Sequence, residues 1–239
     1  MVSVDKKVTE LFEAGCHLGH KNNRVHPKAR KYIYSIENGV SVIDLTQTVP
    51  LLEKSKEFVK SLSENNKSIL FVATKKVSSS LVNKFCQEAG IPYVTLKWPA
   101  GFLTNFEMIM KNVKKLLTMN EDKKTGGWSK FVKHEQVQLQ KEMNKLAKFY
   151  GGLVLLKKLP DALFVIDIKK EKNAVKEAQE MKIPVVAICD TNVDSAKITY
   201  PIPGNDDSLT SIEYFLKEII NSYGQVKTQN SKVKSETKN

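Results

Sequence analysis

Arginine is almost missing from this chain of 239 residues: Arg24 and Arg30 stand against 36 lysines. Arginine's planar fork can read a guanine edge or grip a phosphate bidentately, whereas lysine is a mobile point charge. A basic surface of this kind is suited to neutralising a phosphate backbone more than to reading bases, although a lysine bias from an AT-rich genome accounts for the composition equally well. Cysteine is scarce too. Cys16, Cys86 and Cys189 are odd in number and widely spaced, which excludes a disulfide framework and points to a reducing compartment. No apolar run approaches the ~18–20 residues needed to span a bilayer. The opening stretch, MVSVDKKVTELFEAG, lacks the apolar segment and cleavage site of a secretory signal and carries no transit peptide. A cytoplasmic protein without a membrane partner is the expectation. A glycine-rich phosphate loop is also lacking: Ala73-Thr74-Lys75-Lys76 follows the first long apolar run, and it is neither a P-loop nor a G-x-G-x-x-G turn.

What is present is positive charge. Thirty-eight basic residues against 26 acidic ones leave a formal net charge of +12, which favours a polyanionic partner. The excess is unevenly spread: +2 over residues 1–45, +4 over 46–103, +5 over 104–150, −2 over 151–222 and +3 over 223–239. Between Ala14 and Ile36 the chain holds Lys21, Arg24, Lys28, Arg30 and Lys31 with no acid. A solvated face mixes signs, so a run of one sign is a candidate for phosphate contact.

Periodicity predicts an α/β fold. Val8, Leu11 and Phe12 fall at helical spacing before Gly15, and Tyr32–Leu45 reads as a β-hairpin turning at Asn38-Gly39. A helix follows from Thr46 to about Leu62, with Pro50 tolerable near its first turn. Apolar strands are expected at 68–74, 91–96, 162–167 and 183–190, with a short edge strand at 198–202 because Pro201 cannot donate to a ladder. Helices at 77–89, 172–181 and 207–222 separate them, the pattern of a doubly wound parallel sheet. Residues 104–150 break the alternation. Phe106, Ile109, Met110, Val113, Leu116 and Leu117 form one helical stripe and Leu139, Met143, Leu146 and Tyr150 another, with a turn between and Ser129 as the expected cap of the second helix. This predicts an antiparallel helical hairpin, basic on its polar faces with ten lysines against five acids, inserted in an α/β domain made of residues 1–103 and 151–222. Residues 223–239 are too polar to pack and are expected to be a disordered basic tail.

Two catalytic or metal readings compete with polyanion binding. Asp167 and Asp190 end strands, and Asp194, Asp206 and Asp207 follow in loops. Carboxylates beyond the carboxyl ends of a parallel sheet can hold Mg2+, so a Mg2+-dependent phosphohydrolase using Asp167, Asp190 and Asp206 is the alternative function. Helix caps and turns select the same residues. Cys16, His17, His20 and His26 crowd into eleven residues, but no Cys-x2-Cys pair accompanies them and adjacent residues point apart, against a zinc site. Cys86 and Cys189 sit in apolar patterns, where a thiol is inert.

Longer motifs carry a family resemblance. They include His17-Leu18-Gly19-His20, Asn38-Gly39-Val40 through Ile43-Asp44-Leu45, Thr48-Val49-Pro50-Leu51-Leu52, Phe71-Val72-Ala73-Thr74-Lys75 and Trp98 with Gly101, Leu103, Thr104 and Asn105. They continue through Leu159-Pro160-Asp161-Ala162-Leu163-Phe164-Val165-Ile166-Asp167, Ile183–Ile188 with Asp190-Thr191-Asn192, and Tyr200–Asp207. From Val8 to Ser222 the chain resembles the bacterial-type family of the second protein of the small ribosomal subunit, S-two. The resemblance implies a flavodoxin-like three-layer parallel sheet with an inserted coiled-coil hairpin, no enzymatic activity and no cofactor. It also implies partners: small-subunit rRNA and neighbouring ribosomal proteins, among them the first-numbered, mRNA-binding one that the family helps to dock. No homo-oligomer is expected. The residues expected to meet rRNA are Lys21, Arg24, His26, Lys28, Arg30, Lys31, Lys75, Lys76, Lys97 and Trp98. Departures from the family pattern are Val25-His26 before Pro27-Lys28, Lys97 in place of Arg before the tryptophan, Pro99-Ala100 entering the hairpin, and Ala73 in place of Gly.

Overall fold

The computed structural model of the chain describes residues 6–224 with their side chains and residues 2–5 and 225–236 by backbone alone. The loose tail expected over 223–239 thus lies, beyond its first two positions, outside the fully described residues. The chain runs α1 (Val2–Glu13), β1 (Leu18–Lys21), β2 (Ile33–Glu37), β3 (Val40–Ile43), α2 (Leu45–Glu64), β4 (Ile69–Val72), α3 (Lys76–Ala89) and β5 (Tyr93–Val94). It continues through α4 (Phe106–Lys124), α5 (Lys133–Tyr150), β6 (Ala162–Ile166), α6 (Lys172–Glu180), β7 (Val185–Cys189), β8 (Tyr200–Pro203) and α7 (Leu209–Glu236).

Five strands form one sheet in the order β5-β4-β6-β7-β8, every neighbouring pair parallel. Counted from β4 this is the flavodoxin-like order 2-1-3-4-5. The three central strands are buried at every position, which is why they read as unbroken apolar runs. Phe71, Phe164 and Ile188 face a layer of α1, α2, α3 and α7, while Leu70, Val165 and Ala187 face α4 and α6. The strand expected at 91–96 shrinks to two residues. Ile91 spends its N–H closing α3, donating to the Cys86 carbonyl at 2.9 Å after Gly90 turns left-handed at φ +63°, and Pro92 has no N–H to give. At the other edge β8 carries Pro201 and Pro203. Pro50 falls one turn inside α2, whose start is capped by the Asp44 carboxylate accepting from Thr46 N at 3.0 Å.

The small antiparallel sheet β1-β3-β2 turns at Asn38 and Gly39, both with positive φ (50° and 78°), as a two-residue type I′ hairpin requires. Helices α4 and α5 pack through Leu116, Met119 and Met143, with Leu139, Leu146 and Trp128 beside them. Lys115 and Glu142 pair across the two helices, as do Asn112 and the Tyr150 hydroxyl at 3.4 Å. Leu117, expected in the stripe, is exposed and Met119 is buried in its stead, because +3 and +4 steps from Val113 through Leu116 continue to residue 119 or 120. Ser129 does not cap α5. The left-handed Gly126 and the 3-10 turn of residues 127–130 absorb it. Glu135, in the first turn of α5, accepts instead from the backbone of Val132 at 3.2 Å. No helix among the described residues is long and apolar enough to cross a membrane.

The hairpin's entry is locked to the sheet domain by one carboxylate. Glu177 of α6 accepts from Trp98 Nε1 at 3.0 Å, Gly101 N at 2.9 Å and Leu103 N at 3.0 Å. Hydrogen bonds to an ionised group are worth more than neutral ones, and a donor stranded by removal of its acceptor is costly. Glu177→Ala is therefore expected to lower stability by about 2 kcal/mol, with Glu177→Gln recovering part of the loss; urea unfolding followed by circular dichroism measures both.

Candidate nucleic-acid interface

The basic stretch of residues 21–31 folds as two 3-10 turns, Asn22–Arg24 and Pro27–Tyr32. It lies over the carboxyl end of β7. His26 N donates to the Thr191 carbonyl at 2.8 Å, and the His26 ring caps the second turn by accepting from Lys28 N at 3.3 Å. Ahead of it, Gly19 lets β1 come close to the same loop. A Cβ there would stand 2.7 Å from Thr191 Cγ2 and 3.1 Å from the Ser41 carbonyl oxygen, so no larger residue fits without a shift. His20 N donates to Thr191 Oγ1 at 2.9 Å. Anchored in this way, Lys21, Arg24, Lys28, Arg30 and Lys31 are all exposed.

Lys28 Nζ also reaches Asp194 Oδ2 at 2.9 Å and holds that carboxyl below its ordinary range. This pair joins the loop to the rim of a cleft of about 670 Å3. The cleft's apolar floor is Ile168, Val175 and Val193, and Lys169, Lys172, Lys176 and Lys197 stand around it with His26. All four lysines are exposed. Sequence reasoning passed over them because residues 151–222 sum to −2. The acids of that segment are disproportionately turned inward, with Glu171, Asp190 and Asp206 buried, and the lysines are turned out. The available signal was the periodicity of α6, where Lys172 and Lys176 share a helical face away from Ala174 and Ala178, with Val175 at its border.

Of the residues expected at the interface, Lys76 and Lys97 are exposed, whereas Lys75 and Trp98 are not free to serve as expected. Trp98 is buried, edge-on to Phe102 with ring centroids 4.9 Å apart, and its one donor is held by Glu177; it anchors the hairpin rather than offering a face to a base. Lys75 is turned inward. Its ammonium lies 3.2 Å from Asp167 Oδ2, 3.0 Å from Asp206 Oδ1 and 2.5 Å from Asp207 Oδ1. Burial pulls its pKa down, but the three carboxylates outweigh that and hold it above the usual lysine range. A turn residue at the end of an apolar strand can point either way, and the sequence carries no mark of which.

The phosphohydrolase triad is likewise filled. Asp167, at φ +65°, and Asp206 both point at Lys75, while Asp190 Oδ2 pairs with His20 Nδ1 at 3.0 Å. Burial first, then the charges of Asp167 and Asp190, push Asp206 up to about 7, and the hydrogen bond from Lys75 keeps Asp207 low. The hydrogen bond to Asp190 raises the His20 pKa against the effect of burial. Next to this group, at the β4–β6 switch point, Glu171 accepts from Thr74 N at 2.8 Å and from its hydroxyl, and Lys170 Nζ reaches the Thr74 carbonyl at 2.9 Å. A doubly wound sheet places its ligand in this crevice; here an ion network occupies it, with more carboxylate than a phosphate would tolerate. The four candidate zinc ligands do not converge. Cys16 is buried and accepts from Ser211 Oγ at 3.3 Å, with burial pushing its thiol up to about 11. His17 stacks on Phe12 at 4.1 Å, and His26 caps the loop.

The Ribosomal protein S2 family matches residues 11–225. Small ribosomal subunit protein uS2 of Helicobacter acinonychis (strain Sheeba) is 40% identical over 210 residues, covering 88% of this chain and 85% of the relative. The protein of the same name from Dictyoglomus thermophilum is 41% identical over 210 residues, again covering 88% and 85%. A structural component of the ribosome carries no reaction, so the phosphohydrolase reading is set aside. With an α/β sheet of flavodoxin-like order and a match across nearly its whole length, the chain belongs to the Ribosomal protein S2 family of the small ribosomal subunit.

Proposed function

We infer that the chain serves as a structural constituent of the small subunit by seating itself on rRNA through one continuous basic surface. The single observation that carries this reading is the junction between two groups far apart in sequence. The Lys28–Asp194 pair and the His26–Thr191 bond join the loop that carries Lys21, Arg24, Arg30 and Lys31 to the rim of the cleft that carries Lys169, Lys172, Lys176 and Lys197. Most of these cations are lysines, with Arg24 and Arg30 the two forks, so the surface neutralises phosphates in many registers and reads few bases. The α4–α5 hairpin, with its ten lysines, is a second basic arm of the same protein. Neighbouring ribosomal proteins, including the mRNA-binding first protein of the subunit, would dock on surfaces away from this one, at residues 1–15 or along the hairpin.

Replacing Lys28, Arg30 and Lys31 together by Glu is expected to abolish co-sedimentation with small subunits while leaving the circular dichroism spectrum unchanged. Normal incorporation of the folded variant would overturn the assignment. Surface changes at the hairpin that release a protein neighbour but keep rRNA contact would separate docking from RNA binding.

A further inference from the structure

The cleft beside the basic loop has a part that phosphate neutralisation leaves unused, its apolar floor. Phosphate oxygens gain nothing from Ile168, Val175 and Val193, whereas the face of a nucleobase does. Resting on the rRNA reading above, we propose that this cleft takes the base of an unpaired rRNA nucleotide, with the flanking phosphates on Lys169, Lys172, Lys176 and Lys197.

Size and construction fit that occupant. A volume of about 670 Å3 lies within the range of pockets that enclose small organic ligands. Helix α6 lines one side and residues 192–197 the other. Gln179 Nε2 donates across to the Lys197 carbonyl at 2.7 Å, which ties the two sides together. Ile168, Val175 and Val193 are buried and belong to the apolar layer under α4 and α6, so the floor is the outer surface of the core itself. His26 adds an aromatic ring to the lining. Its Nδ1 accepts from Lys28 N at 3.3 Å and holds the ring to the loop, and histidine rings are among the surfaces on which unstacked RNA bases lie.

The charges around the floor complement a strand rather than a protein of mixed sign. Among the described residues Asp194 is the one acid that lines the cleft, and Lys28 meets its charge at 2.9 Å. Lys176 makes one long pair with Glu180, 3.9 Å between two exposed side chains, which water screens. The ammonium groups are thus left for phosphate. A paired base cannot reach the floor, because double-stranded RNA presents its phosphates and 2′-hydroxyls and keeps its base faces stacked inside. The occupant is therefore unpaired. An aliphatic floor carries no hydrogen-bonding pattern, so it accepts any of the four bases, in keeping with a surface built from lysine.

Fluorescence anisotropy of the full chain at low salt, with two labelled strands of about eight nucleotides, tests the base site separately from the phosphate surface. One strand is oligoadenylate; the other has the same phosphates on abasic riboses. The adenylate strand should bind about tenfold or more tighter. His26→Asn removes the ring but can still cap the loop, and Val193→Asn makes the floor polar; each should lower that ratio, with melting curves close to the parent's verifying the fold. Lys172 and Lys176 replaced together by Gln should weaken both strands alike. Equal affinity of the two strands for the parent chain, a comparison that needs no variant, would overturn the base site and leave the phosphate surface standing. So would a ratio that neither His26→Asn nor Val193→Asn lowers. Failure of both strands to bind would overturn the base site and the rRNA reading together. Displacement of oligoadenylate by AMP at equal nucleotide concentration would assign the cleft to a free nucleotide, against the proposal.

Discussion

Lys75→Met is expected to cost the fold about 3–5 kcal/mol, the range for removing one partner from a buried ionic group. The ammonium sits within 3.2 Å of three carboxylates and also donates to the Asp206 carbonyl at 3.0 Å. Methionine fills similar space but carries no charge, so Asp206, buried on the core side, would be left beside Asp167 with nothing to compensate it. Lys76→Met is the control. One residue on, the side chain is exposed, and a surface change of this kind shifts stability by about 0.5 kcal/mol or less. Adding Asp206→Asn to Lys75→Met should return part of the loss, since the demand for a cation falls with the carboxylate. Urea midpoints of the four proteins give the comparison; equal midpoints for Lys75→Met and the parent would show that the ammonium stabilises nothing.

The second large effect is on salt dependence. If about six to ten lysines and arginines meet phosphate, affinity for small-subunit rRNA should fall about 10^3–10^5-fold between 50 and 200 mM salt. The logarithm of the association constant against that of salt concentration gives the number of phosphates neutralised. Lys172, Lys176 and Lys197 replaced together by Gln should lower the slope by about 2–3, roughly one for each phosphate no longer neutralised. Lys75→Gln should leave the slope alone, because its charge is spent inside. A slope near zero, or one insensitive to the α6 lysines, would remove the cleft from the interface.

These expectations show where sequence was legible and where it was not. The β6 and β7 runs announced themselves because both faces of a central parallel strand are buried, and Asn38-Gly39 announced its turn through a backbone geometry few residues adopt. The ends of elements were harder. Residues 91–96 have strand composition throughout, yet closing α3 consumed Ile91, and Pro92 limited the pairing. The proposed interface was half legible. A run from Lys21 to Lys31 without an acid can be seen in one dimension, but Lys169, Lys172, Lys176 and Lys197 alternate with acids that the fold turns inward. Summation along the chain mixes faces that folding separates. Trp98 and Lys75 failed for a related reason: composition says which chemistry a side chain offers, and only packing says toward what.

The sheet's two margins bear on the time a chain spends unassembled. An outer strand with free N–H and C=O groups is a template onto which another chain can add a strand. Here one margin, β5, is two residues long, too short to align a visitor. The other, β8, pairs with β7 in a parallel register that sets Pro201 opposite Ala187 and Pro203 opposite Cys189. Proline cannot donate, so the strand's inward bonds fall to the alternate residues, and at both prolines the outward side offers no N–H. Truncation on one side and missing donors on the other leave a sheet with no usable rim. An unassembled copy therefore offers few backbone donors at its sheet margins for another chain to pair with.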